Sequence, residues 1–281
     1  KKNVSKINKN INLSLNEVNY LLNPLNFSIN ISAKNPKILL KDKSLDLIDI
    51  TTNISLKSFI NSQFSIDDLK ISTKEILIKD LISLTRKVKG SPQLFVLDNM
   101  TKAGLISANI DLMFDSDGKI KNNYQINGDI KKAKFNIFNK VKIENLNLSF
   151  NISKNKLTFR KIETDLNSIK LKSPLIKVEE KKNIFFIEGK VINDQQNFDI
   201  NKLKLILGDL LNTIEAKKIN FNSINTFSFN INKNFKFNDL KIETNLNLEN
   251  LKIVKNPLNL KAYLPNYTEQ VKFKDHKIKI K

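Results

Sequence analysis

Residues Gly104 to Phe135 read GLISANIDLMFDSDGKIKNNYQINGDIKKAKF. Ile106, Ala108, Ile110, Leu112 and Phe114 take alternate positions, with Ser107, Asn109 and Asp111 between them. Period-two alternation of this kind is what a strand buried on one face requires. Asp117-Gly118 follows, a pair suited to a tight two-residue hairpin because its turn needs positive φ. Ile120, Tyr124, Ile126 and Ile130 resume the pattern on the return. A two-residue turn would set Ile106, Ile110, Leu112 and Phe114 on the same side of a sheet as Ile120, Tyr124 and Ile126.

The same pattern extends in both directions. Upstream, Phe27, Ile29, Ile31 and Ala33 alternate with serine and asparagine until Asn35-Pro36, which reads as a break; Phe64, Ile66, Leu69 and Ile71 follow. Downstream, Val141 and Ile143 share one parity and Leu146, Leu148 and Phe150 the other, so a bulge or short turn is expected near Glu144-Asn145. Further runs occur at Leu203–Leu207, Phe227–Ile231 and Ile242–Leu248. KIETDLN at 161–167 recurs as KIETNLN at 241–247, which suggests a sheet enlarged by duplicated strand modules or chance similarity in a chain rich in Lys, Asn and Ile.

Residues 74–102 differ. Ser72-Thr73-Lys74-Glu75 has the form of a helix capping box, and Leu77, Leu81, Leu84 and Val88 recur at helical spacing toward a glycine stop at Gly90. Ser91-Pro92 starts a second helix, with Ser as cap and Pro in the first turn. Two short helices are expected, about 76–88 and 92–102, between strands over 1–73 and 103–281.

Composition removes most chemistry. With no cysteine there are no disulfides or thiolate sites. One histidine, His276, leaves no histidine-based triad over most of the chain and no His-rich metal site. Six glycines form no phosphate-cradling loop. Asp115-Ser116-Asp117-Gly118 starts like a calcium loop but lacks its later ligands, so it reads as a turn. Asp67-Asp68 and Glu179-Glu180 are strand neighbours and point to opposite faces. No catalytic residue, cofactor or metal is expected. The net charge is +20, from 48 basic and 28 acidic side chains, yet only Arg86 and Arg160 are arginines, and 42 residues are asparagine. An anionic partner is one reading of that charge. Solvated lysine-rich strand faces are the other, and the scarcity of arginine argues against specific nucleic-acid readout. No apolar run is long enough to cross a membrane as a helix.

About fifteen alternating strands leave an Ile/Leu/Phe face that must be covered. A sandwich, a closed barrel or a curled sheet with an open hydrophobic groove would each satisfy it. Trp is absent and Tyr scarce, against the aromatic girdles of a membrane barrel. The expected fold is therefore mainly β: an elongated, curled antiparallel sheet with an open groove.

The helix pair, the stretch from Gly104 to Asn151 and the later LKIET-like pieces resemble the AsmA-like superfamily of Gram-negative bacteria (AsmA/TamB/YhdP-type). That resemblance implies a non-enzymatic periplasmic protein that shields phospholipid acyl chains in an apolar β-groove. It also implies an N-terminal inner-membrane anchor, and contact with inner and outer membranes through parts not in this chain. On this reading residues 1–281 are one elongated β domain of a longer protein. Ile106, Ile110, Leu112, Phe114, Ile120, Tyr124 and Ile126 would line the groove. The rival expectations are a surface or adhesin-type β-protein with a closed core, and a polyanion-binding β-protein.

Overall fold

The structure, a computed structural model, describes residues 11–40, 43–88, 91–137, 141–182, 184–199, 201, 218–232, 236–253 and 271–280. It is mainly β, with one antiparallel sheet of 14 strands. The strands are β1 (Ile11–Asn23), β2 (Ser28–Leu40), β3 (Lys43–Ser55), β4 (Ile66–Thr73), β5 (Ile76–Leu77), β6 (Thr101–Met113), β7 (Gln125–Ile137), β8 (Val141–Ser153), β9 (Lys156–Leu166), β10 (Ile169–Lys181), β11 (Ile184–Asp199), β12 (Lys218–Asn232), β13 (Phe237–Ile253) and β14 (Val271–Ile280). They pair in chain order, except that short β5 joins β6 beside the main path. The sheet is not closed: β1 and β14 stand at its two ends. Pairing each strand with its predecessor is the low-cost solution for strands joined by short turns. Three short helices occur among the described residues: α1 (Leu56–Ile60), α2 (Ile78–Val88) and α3 (Pro92–Met100).

The chain divides into two compact units, residues 1–133 with 148–158, and residues 134–147 with 159–281. In the first, register fixes two faces. Val18, Ala33, Ile50, Ile71 and Ile110 form one transverse row across β1, β2, β3, β4 and β6. Tyr20, Ile31, Thr52, Leu69 and Leu112 form the row beside it. The opposite face is polar and carries a cross-strand ladder. Asn30 donates to Asn53 Oδ1 at 2.8 Å, and Asn53 donates to Asp68 Oδ2 at 2.7 Å. Asparagine suits this place because its amide both donates and accepts, so identical neighbours satisfy one another. Ser149 to Asp129 (2.7 Å) and Asn151 to Asn127 (2.6 Å) repeat the device.

The ladder is testable. Asn53→Ala removes one acceptor and one donor at once, and leaves Asp68, whose other oxygen is buried without a partner, unsatisfied. A loss of about 1–3 kcal/mol in chemical denaturation is expected. Leu21→Ala, on the same face but largely exposed, should change little.

The helices pack at one end of β6. Ser91 caps α3 as expected, its Oγ accepting the Leu94 N–H at 3.2 Å, with Pro92 opening the helix. Arg86 of α2 bonds Asp98 of α3 and lies over the Phe95 ring at 5.2 Å. Several expectations change. The capping box does not form: β4 runs on to Thr73, whose hydroxyl accepts the Ala108 N–H at 2.8 Å. Glu75 instead reaches Lys131 at 2.6 Å. Leu77 pairs with Leu105 as part of β5, so α2 starts at Ile78; it buries Leu84 of the expected stripe, but with Ile78 and Ile82 in place of Leu77 and Leu81. Gly90 lies outside the described residues. α1 was not expected at all; the Ser55 side chain caps it by accepting the Ser58 N–H. Asn35-Pro36 does not end β2. The strand passes through with Asn35 at φ 47°, and Pro36 is fully buried. The irregularity near Asn145 is present, as a positive φ of 52° within β8.

In the second unit, Ile187, Phe229 and Gly189, Phe227, Ile242 lie in adjacent rows of one face. Glu188, Ser228, Lys241 and Lys190, Thr226, Glu243 lie on the other. Phe227 stacks on Phe229 with centroids 5.9 Å apart, and Phe237 meets Phe229 tilted, at 5.6 Å. The two KIET segments are not equivalent in place. Lys161 has φ 52° and Ile162 is buried, whereas Ile242 is 49% exposed within β13. The run at Leu203–Leu207 lies outside the described residues.

Candidate functional site

The apolar face of the first unit is the most distinctive surface feature of that unit. Fully buried apolar side chains are few there. Ala33, Pro36, Leu47, Ile78, Ile82, Leu84, Ala133 and Phe150 are the described ones. Most of the Val18 and Tyr20 rows is only half-buried, each side chain shielded by its neighbours in the row. α2 meets β6 at Gly104, where Ile78 packs, the end of the strand away from Leu112.

The expected groove residues divide into groups. Ile110 faces Ile71 across the β4–β6 ladder and Leu112 faces Leu69, so both belong to the apolar rows. Ile106 pairs with Ile76 of β5, nearer the helices. Phe114 lies past the end of β6, its ring 5.5 Å from Phe64. Ile120 opposes Phe114 through a single bridge and is 52% exposed. Tyr124 and Ile126 are half-buried, and a second turn at Asn122–Asn123 separates them from Ile120.

The turn at Asp117-Gly118 is not the two-residue hairpin. Gly118 N–H donates to the Asp115 carbonyl at 3.0 Å, and Asp115 N–H donates to the Lys119 carbonyl at 3.0 Å. The loop therefore has three residues, closing with Gly118 at φ 79°. Asp115 Oδ1 accepts the N–H groups of Asp117 (3.0 Å) and Lys119 (2.9 Å). Its carboxylate is thus used in holding the turn. Among the described residues no group of three or more His, Cys, Asp or Glu is placed to hold a metal.

Lysines of the polar faces meet carboxylates: Lys172–Asp194 at 2.6 Å, Lys177–Glu188 at 3.0 Å and Lys37–Asp46 at 3.4 Å. Such exposed pairs contribute little to stability. The hydrogen bond to Glu75 holds the Lys131 ammonium above the ordinary lysine pKa. Because the folded value is the higher, that contribution is complete below the unfolded pKa and is lost only as pH rises through the folded one.

The second unit contains an open depression of about 1130 Å³. Its lining mixes Leu175, Leu240 and Ile242 with Lys177, Lys190 and Lys241. Sequence reasoning missed it, because it depends on strands β10 to β13 that approach only through register.

Compared with known protein families, with curated proteins and with solved structures, the chain matches none. No described helix is long and apolar enough to cross a membrane.

Proposed function

We propose that the chain is a non-enzymatic lipid-shielding protein whose apolar strand face takes phospholipid acyl chains. One observation supports this above the others: two adjacent apolar rows run across β1, β2, β3, β4 and β6, and most of their side chains stay only half-buried. An acyl chain laid on such a face gains roughly 0.8 kcal/mol per methylene removed from water. The rows are built from Ile, Leu, Val, Ala and Tyr with one threonine, Thr52, whose hydroxyl donates to the Asp68 carbonyl, and include no charge, so no single position holds a lipid tightly. The polar face, with its asparagine ladder and paired lysines, stays in water. The resemblance to AsmA-like proteins adds the setting of this proposal: the periplasm of a Gram-negative cell, with inner-membrane anchoring and outer-membrane delivery through segments outside this chain. Sequence-specific nucleic-acid binding forms no part of it, since Arg86 and Arg160 are the only arginines available for bidentate readout and Arg86 is engaged with Asp98.

Protein expressed in bacteria, purified without detergent and extracted with organic solvent should yield co-purifying phospholipid by mass spectrometry. Leu69→Asp should reduce that yield severalfold. Protein free of phospholipid, or an unchanged yield in the variant, would remove the proposal.

A further inference from the structure

The end of the first unit where β1 turns into β2 is apolar in a way that the strand faces do not explain. The turn runs Asn23-Pro24-Leu25-Asn26-Phe27, and turns ordinarily carry polar residues at their tips. Here Leu25 is 95% exposed and Leu22 60%. α1 lies beside this turn, with the Leu56 N–H donating to the Phe27 carbonyl at 2.9 Å. It adds Phe59 and Ile60, 67% and 68% exposed. The patch therefore comes from two separate loops that protrude together. It is also nearly free of charge in a chain where 27% of residues are charged: Val18 to Ala33 has none, and Lys57 is the single charge across Ser55–Ile66. A patch recognising a charged or hydrogen-bonding partner would show those groups. This one shows leucine, isoleucine and phenylalanine at the tip, with asparagine behind them.

We infer that this tip inserts into the surface of an anionic lipid bilayer. Exposed apolar loops gain by entering the acyl region, and the surrounding molecule supplies the attraction. Its net charge of +20 complements an anionic leaflet and draws the apolar tip to it. The inference stands apart from acyl-chain shielding, because a protein can dock on a bilayer without carrying lipid.

The chain has no tryptophan, so Leu25→Trp makes a single fluorophore at the tip of the full chain. The variant is mixed with vesicles of equal phosphatidylcholine and phosphatidylglycerol, and with the same vesicles made from brominated acyl chains. The emission should shift to the blue and be quenched by the brominated lipid. Phe237→Trp, an exposed apolar site of the second unit at 65% exposure, should do neither. Adding Phe59→Asp to Leu25→Trp should return the emission to that of a water-exposed indole. Three results would overturn the inference: no shift at Leu25→Trp, an equal shift at Phe237→Trp, or a shift that appears without vesicles and grows with protein concentration. The last would make the tip a contact between copies of the chain. Tip insertion in protein that carries no lipid would leave this inference intact and remove the lipid-shielding reading.

Discussion

Gly104→Val should unfold the first unit around β6 and lower its melting temperature by well over ten degrees. Gly104 has φ 132°, a conformation that L side chains rarely adopt. There is also no room for one. A Cβ at this position would lie 2.7 Å from the Ala133 Cα and 2.7 Å from Ile78 Cδ1. Ala133 is completely buried and Ile78 nearly so, so neither the β7 backbone nor α2 can give way. Backbone strain of about 1–3 kcal/mol adds to overpacking of about 1–3 kcal/mol. The sum is a large part of the stability of an ordinary domain. Thermal denaturation followed by circular dichroism checks it. A variant melting within two or three degrees of the parent would mean that β6, β7 and α2 do not meet at this glycine.

The second large effect is a contrast between two leucines given the same charge. Leu47, in β3, is 1% exposed, and its carboxylate in Leu47→Asp would have no route to water. Several kcal/mol of destabilisation and loss of the cooperative transition are expected. Leu112 lies in the apolar row opposite Leu69 and is only half-buried. In Leu112→Asp the carboxylate reaches solvent, so the fold should survive with a melting temperature lowered by only a few degrees. Equal collapse of both variants would mean that the apolar rows are a sealed core, and the closed-core β-protein would become the better reading.

Much of this architecture was legible in the chain. Alternation at Ile106–Leu112 and Leu69–Ile71 put those residues on the apolar face of their strands, because period two has only two outcomes and burial chooses between them; that the two strands pair with each other, Leu69 opposite Leu112, was not in the pattern. Ser91-Pro92 named the start of α3, since capping is a local interaction. The misreadings involve partners distant in sequence. Ser72–Glu75 has the letters of a capping box, but the ladder to β6 holds Ser72 and Thr73 extended, and Lys131, 56 residues on, takes Glu75. α2 has apolar residues on more than one stripe, and pairing of Leu77 with Leu105 decided which stripe turned inward. At Asp117-Gly118 the glycine conformation was foreseen, while loop length was set by the side chain of Asp115 holding two N–H groups. The exposed tip at Leu25 and Phe59 could not be read at all. Nothing local says that two loops separated by a strand hairpin protrude side by side.

If the apolar face of the first unit meets acyl chains, adjacent residues of β4 report it directly. Leu69 belongs to the apolar row and Lys70 to the polar face, where it opposes Thr51 and Asp111. A photo-crosslinking amino acid is placed at one position or the other in the protein expressed in a Gram-negative host, and adducts are read by mass spectrometry after irradiation. The account predicts phospholipid adducts from position 69 and none from position 70. Adducts from both positions, or from neither, would contradict it.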